Sequence, residues 1–235
     1  MKLQNYLPMA FRSRIDDRAL ENAEEIRLRV GQPLEILYAD EESRKFDRLD
    51  ASQLREMLNY LSGYSVYAIE EELRQGFFTV EGGHRVGVSG RTSYQKKGRW
   101  NEMNPLSDIS GLNIRLAHER KGCAKQILPW IRHVRSIYHT FIFASPGVGK
   151  TTYLRDCIRS LSKGDATEKG LKIGVVDERS EIAACHRGVP QNDLGPRTDV
   201  LDNCPKEQGM KMLLRSMSPE VIAVDELGLP EDFAA

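Results

Sequence analysis

Residues 144–151 read A-S-P-G-V-G-K-T and follow directly on the apolar run 138–143, and this stretch restricts the fold more than any other. A G-x-x-x-x-G-K-[ST] pattern between a strand and a helix turns several backbone N–H groups inward on an anion. Gly147 and Gly149 supply backbone angles that side chains resist. Lys150 is expected to reach the β- and γ-phosphates of ATP, and the Thr151 hydroxyl to hold the magnesium ion bridging them. The expected nucleotide cradle runs through Ala144, Ser145, Pro146, Gly147, Val148, Gly149, Lys150, Thr151 and Thr152. Ala144 stands where the first glycine of the pattern usually sits, a position that only starts the turn and tolerates a residue nearly as small.

A loop of this kind needs a parallel sheet behind it, and the second half of the chain has the matching rhythm. Apolar strands are expected at 140–144, 172–176 and 221–224, alternating with helices at 151–162 and 206–217, and another helix at 124–134. The first half reads differently, as a small α+β unit. Residues 25–30 and 34–38 form a hairpin about Gly31-Gln32-Pro33, a helix capped by Asp50 or Ser52 covers 50–61, and strands cover 77–80, 85–89 and 113–117. Turn-forming Gly82-Gly83 and a polar tip at 95–98 separate those strands. The charged stretch 118–122 marks the boundary, giving an α+β domain over 1–120 and a P-loop domain over 121–235.

Magnesium chemistry calls for a carboxylate at the end of a neighbouring parallel strand. Four apolar residues at 221–224 predict a strand buried on both faces, delivering Asp225 and Glu226 to the edge where ligands collect in open α/β sheets. Asp225 is expected to meet magnesium through water, and Glu226 to polarise the attacking water as general base. A third strand end carries Asp177, Glu178 and Glu181, three carboxylates within five residues. The stretch 188–204, rich in Gly, Pro, Asn and Asp, reads as one long functional loop facing a neighbouring subunit or a substrate.

Thirty-four basic and 34 acidic residues cancel, so no global field draws the chain to nucleic acid or to an anionic lipid surface. No apolar run approaches the roughly 20 residues of a membrane helix, and the N-terminus lacks a signal-peptide core, so a cytoplasmic protein is expected. Cys123, Cys157, Cys185 and Cys204 are widely spaced, the reading expected of reduced thiols rather than zinc ligands.

The segments A-S-P-G-V-G-K-T-T-Y-L-R-D, V-V-D-E-R-S-E-I, V-P-Q-N-D-L-G-P-R-T-D and V-D-E-L-G, with A-E-E-I-R-L-R-V-G-Q-P and G-G-H-R-V-G-V-S-G-R upstream, together resemble the stage III sporulation protein AA family over nearly the whole chain. That family is similar to the type II/IV secretion ATPases, hexameric RecA-like motors with a separate N-terminal domain. The resemblance implies a RecA-like P-loop NTPase domain and ATP and magnesium as ligands. It implies self-association as a hexamer, and docking from the mother-cell cytoplasm on membrane channel proteins of the sporulation complex. It also implies that Asp177, Glu178 and Glu181 form an acidic box in which Glu178 takes a catalytic part, and that Arg85, Arg91 or Arg115 acts as an arginine finger.

One departure stands out. The chain stops at residue 235, soon after Asp225, where RecA-like sheets continue with another strand and secretion ATPases carry a histidine-containing motif. A truncated product with an unpaired, adhesive sheet edge is therefore expected. Two activities remain open: an ATP-hydrolysing motor, and a nucleotide-binding assembly component with little turnover. A RecA-like nucleic-acid motor is disfavoured by the zero net charge.

Overall fold

Alternation of apolar and polar residues builds the first sheet. Along β1 (Ala23–Arg29) the side chains of Ile26 and Leu28 are wholly buried while Glu25, Arg27 and Arg29 are only half-buried, so one face of the strand turns to a core. Strand β2 (Pro33–Tyr38) returns antiparallel after Gly31, whose φ of 75° lies in the left-handed region, and sets Ile36 opposite Ile26. The computed structural model describes residues 3–16, 20, 22–40, 42–97, 100–104, 106–133, 136–145, 147–166 and 168–226. Pro146, the end of the expected helix at Val134, the tip residue Gly98 and the C-terminal 227–235 lie outside the described residues.

Four more strands complete this sheet: β3 (Ser43–Arg48), β4 (Phe77–Val80), β5 (His84–Arg91) and β8 (Ser107–Arg115), in the order β3-β2-β1-β8-β5-β4. Strand β3 escapes the sequence pattern because S-R-K-F-D-R has no apolar alternation; it is an edge strand whose charges face water. The polar tip expected at 95–98 instead enters a ribbon, β6 (Tyr94–Lys97) paired with β7 (Trp100–Met103). Helix α1 (Met9–Arg12) buries Phe11 against this core, and α2 (Ala51–Leu61) buries Leu54, Met57, Leu58 and Leu61. Asp50 closes a capping box on α2, accepting from the N–H groups of Ser52 and Gln53 while the Gln53 side chain accepts from the Asp50 N–H at 3.0 Å. A short α3 (Glu70–Gln75) leads through Gly76 into β4.

By its contacts the chain divides into two units, Met1–Ala117 and His118–Ala235. In the second unit the helix expected at 124–134 is interrupted. A 3₁₀ turn at Cys123–Gln126 gives way to a single α turn, α4 (Leu128–Ile131), and then to β9 (Arg132–His133), which pairs with β10 (Ser136–Ile137). Pro129 causes the break, since it has no N–H to donate and its ring collides with the carbonyl four residues back, whereas in the first turn of a new helix it fits.

Helix α5 (Lys150–Lys163) follows the glycine loop. The sheet behind it has three parallel strands in the order β12-β11-β13: β11 (Ile173–Asp177), β12 (Thr198–Asp202) and β13 (Val221–Val224). Strand β12 lies inside the stretch expected to be one long loop, so that expectation is corrected; T-D-V-L-D pairs along the whole length of β11. All five residues of β11 are buried, but those of β13 are only half-buried, because among the described residues β13 pairs on one side alone. Residues 140–144 do not form the expected strand. They join no ladder among the described residues, and Phe141 and Phe143 are 68% and 87% exposed. Propensity makes a segment willing; a partner edge makes it a strand.

Helix α6 (Lys206–Ser216) seats on β11 through two glycines. A Cβ on Gly174 would stand 2.8 Å from Leu213 Cδ1, and one on Gly209 would overlap Val176. Each bare backbone thus receives the other element's apolar side chain. No helix among the described residues is long and apolar enough to cross a membrane.

Candidate nucleotide-binding site

Glycines set the loop's shape. Gly147 and Gly149 have φ of 78° and 95°, and Gly149 is the residue from which α5 starts. With no side chain at the cap, the first-turn N–H groups of α5 are left without a side-chain acceptor, the arrangement that receives an anion. Lys150 is folded back, its Nζ donating to the carbonyl oxygens of Ala144 and Ser145 at 3.1 Å each. The ammonium thereby occupies the mouth of its own loop. Thr151 and Thr152 are half-buried in the first turn of α5, and Val148 is 62% exposed.

Strand register gathers the acids. Val176 pairs with Val224, so Asp177 and Asp225 leave adjacent parallel strands side by side, and Asp202 lies opposite Asp177 on the other flank. Three aspartates therefore line the C-terminal edge of the sheet. Their surroundings differ. Asp177 is fully buried, and its carboxylate accepts from the N–H groups of Glu181 (2.8 Å), Ile182 (3.0 Å) and Ala183 (2.7 Å). Burial raises its pKa, and the three N–H groups pull against that shift without cancelling it. The carboxylate is thus spent on folding the turn after β11, where Ser180 and Ala184 take φ of 53° and 48°. The sequence places Asp177 in an acidic box with Glu178 and Glu181; the structure gives its carboxylate these three backbone partners.

Asp225 has less support. Its Oδ2 is buried with no hydrogen-bond partner among the described residues; burial first, and then the nearby charges of Glu226 and Asp177, raise its pKa, while the Glu226 N–H and Lys206 oppose them. Glu226 accepts from Arg179 Nη1 at 3.1 Å. Glu178 is ion-paired with Lys206, whose side chain is 10% exposed.

Several residues that the sequence did not single out hold this edge together. Arg155, on α5, donates to the carbonyls of Ile182 (2.9 Å) and Glu181 (2.8 Å). Burial lowers its pKa, and the charges of Glu119, Asp177 and Asp225 work against that. Arg155 thus ties α5 to the turn that Asp177 folds. Asp156, the next residue, is buried and accepts from the Ala124 N–H at 2.8 Å and from Arg159 Nε at 2.9 Å. Arg155 falls five residues after Lys150, and that spacing carried no signal because the carbonyls it meets are brought near only by the fold.

The three arginines considered as fingers lie in the first unit. Arg85 and Arg115 stand opposite each other on β5 and β8, with the Arg85 guanidinium 3.4 Å from the Phe77 ring centroid. Arg91 lies 3.7 Å from Asp108 in an exposed ion pair.

A family described as "Sporulation stage III, protein AA" matches residues 2–235. The chain belongs to this family. As a member of the Sporulation stage III, protein AA family, it is 43% identical over 220 residues to Stage III sporulation protein AA of Bacillus subtilis, an alignment covering 94% of this chain and 70% of that protein. It is 30% identical over 128 residues to the protein ycf45 of Cyanidium caldarium, covering 53% of this chain and 36% of the other. Among solved structures, the X-ray structure of the Legionella pneumophila ATPase DotB superposes with a TM-score of 0.57 at 17% identity, over 97% of this chain and 62% of that one. At that identity the likeness is one of fold. This family member is thus an α/β protein with a parallel sheet, resembling the ATPase DotB in fold while spanning less than two thirds of DotB's length.

Proposed function

We propose that residues 144–152 bind ATP with magnesium and that the chain hydrolyses it, as a subunit of an oligomeric motor serving a sporulation-associated channel complex. The observation that carries this is the buried Oδ2 of Asp225, without a hydrogen-bond partner among the described residues, beside Asp177 at the C-terminal edge of the sheet. A buried acceptor with no donor costs about 1–3 kcal/mol, and a water held by a cation is a partner that removes the cost. The residues present therefore fit magnesium: Thr151 would hold it directly and Asp225 through water. When bound, the ion neutralises charge on the β- and γ-phosphates.

The chain's own groups do the rest. Lys150 leaves the carbonyls of Ala144 and Ser145 and turns its charge to the phosphates, while the bare N–H groups at the start of α5 hold the anion. Glu226 accepts the proton of the attacking water once its carboxylate leaves Arg179. Glu178 contributes a second carboxylate only by parting from Lys206. Arg85, Arg91 and Arg115 are the candidates for stabilising the transferred phosphate, in a hexamer in the mother-cell cytoplasm whose partners are membrane channel proteins. Nucleic acid is not part of this reading.

The test is magnesium-dependent phosphate release. Lys150→Ala should abolish nucleotide binding and turnover, and Glu226→Gln should abolish turnover while binding persists. Release unaffected by either substitution would sink the proposal.

A second reading is favoured by the folded-back Lys150 and the occupied Glu226: an assembly component that holds nucleotide without spending it. Tight ATP binding with turnover equal in the unmodified chain and in Glu226→Gln would select it.

A further inference from the structure

We infer that the first unit carries a second anion site, distinct from the glycine loop, in a cleft of about 710 Å³ between Arg12, Ser13 and Arg14 on one side and Arg44, Lys45 and Phe46 on the other. The ligand is a small phosphate-bearing molecule, either soluble or the headgroup of a lipid. This does not depend on the nucleotide reading.

Charge bookkeeping within the cleft is the argument. Arg12 is fixed by neutral groups: its Nε donates to the Leu7 carbonyl at 2.9 Å, its Nη2 to the Asn5 carbonyl at 3.2 Å, and its guanidinium carbon lies 5.4 Å from the Tyr60 ring centroid. Arg44 rests over Tyr38 at 5.6 Å. Among the described residues neither arginine is in an ion pair with a carboxylate, whereas Arg14 pairs with Asp47 and Lys45 reaches Glu35 at 3.6 Å. Among the described lining residues Asp16 is the one carboxylate, and it can offset only one of the two guanidinium charges. The described lining therefore keeps a net positive charge, in a chain whose 34 basic and 34 acidic residues balance overall.

Geometry narrows the ligand. A cleft of this size suits a small molecule. A guanidinium held by aromatic and carbonyl contacts presents its fork in a set direction, which matches the tetrahedral oxygens of phosphate better than a mobile ammonium would. The cleft draws on Gln4, on the end of α1 with the residues after it, and on the edge strand β3, so an anion there would also bridge separate stretches of chain.

The experiment uses the full chain carrying Lys150→Ala, which silences the glycine loop. It measures binding of inorganic pyrophosphate by calorimetry, and of phosphatidylglycerol vesicles against phosphatidylcholine vesicles by sedimentation. Arg44→Glu, at an exposed position without an ion pair, should leave the melting temperature unchanged and weaken binding about tenfold or more, and Arg44→Lys should restore part of it. Pyrophosphate binding with this dependence identifies a soluble ligand; phosphatidylglycerol binding alone with this dependence identifies a headgroup. No binding of either probe, or binding indifferent to Arg44→Glu, overturns the inference.

Discussion

Arg179 Nη1 donates to Oε2 of Glu226 at 3.1 Å, and this bond joins the turn after β11 to the end of β13. Both side chains are well exposed, 65% and 59%, so water screens the pair and its contribution to stability is below about 1 kcal/mol. Arg179→Ala should therefore leave the melting temperature nearly unchanged. Under the proposed mechanism it should also raise basal turnover, by no more than about fivefold, since the barrier cannot fall by more than the pair was worth. Phosphate release measured for both chains at low and high salt checks this: added salt should raise the unmodified chain toward Arg179→Ala. A fall in turnover would instead give Arg179 a direct part in the reaction.

Asp225 predicts a pH dependence. Its folded pKa is raised by burial, so the folded state favours the protonated acid. The stability this lends is fully present below the unfolded-state pKa and is lost as pH rises through the raised folded value. At neutral pH the ionised group is then a burden on the nucleotide-free chain. Asp225→Asn should raise the melting temperature there by about 2–4 °C for each kcal/mol relieved, and the gain should shrink as the pH falls below the carboxylate range. Thermal melts of both chains across that range, without nucleotide, provide the measurement; a gain independent of pH would refute the assignment.

Asp177 should respond in the opposite way. Its carboxylate serves three backbone N–H groups, so Asp177→Ala takes their acceptor from all three, at about 1–3 kcal/mol for each left unsatisfied when buried. Loss of several kcal/mol is expected in urea unfolding, with Asp177→Asn intermediate because its amide offers one acceptor oxygen. Unchanged stability in Asp177→Ala would return this residue to the chemistry.

Gly209→Ala should cost about 1–3 kcal/mol, because the added methyl overlaps Val176 where α6 seats on β11. The added substitution Val176→Ala makes room for it. If the double variant is no more stable than the sum of the two single losses, the close seating is not the cause.

Legibility in the sequence followed the range of the forces involved. The hairpin of β1 and β2, helix α2 with its Asp50 cap, and helices α5 and α6 were readable because period, capping residue and turn glycine are local signals. Strand β12 was not, because T-D-V-L-D becomes a strand only by lying on β11. The same rule worked in reverse at 140–144, where a good strand composition met no partner edge. At the site, the loop glycines and Lys150 were legible as a motif. The division of labour among the carboxylates was not: Asp177 and Asp225 look alike in sequence, and only the turn folding over one of them separates a structural acid from an unsatisfied one.

The bond from Asp156 to the Ala124 N–H has a mechanical meaning. Asp156 rides on the helix that begins at Lys150, so the chain entering the second unit is bolted to the element a nucleotide would press on. Lys121 adds a second bolt through Asp193 at 2.8 Å, and Glu119 a third through the Asp193 N–H. The stretch 119–124 is thus pinned at one end to Asp193 and at the other to the helix that begins at Lys150, a rooted base of the second unit rather than a loose lead-in.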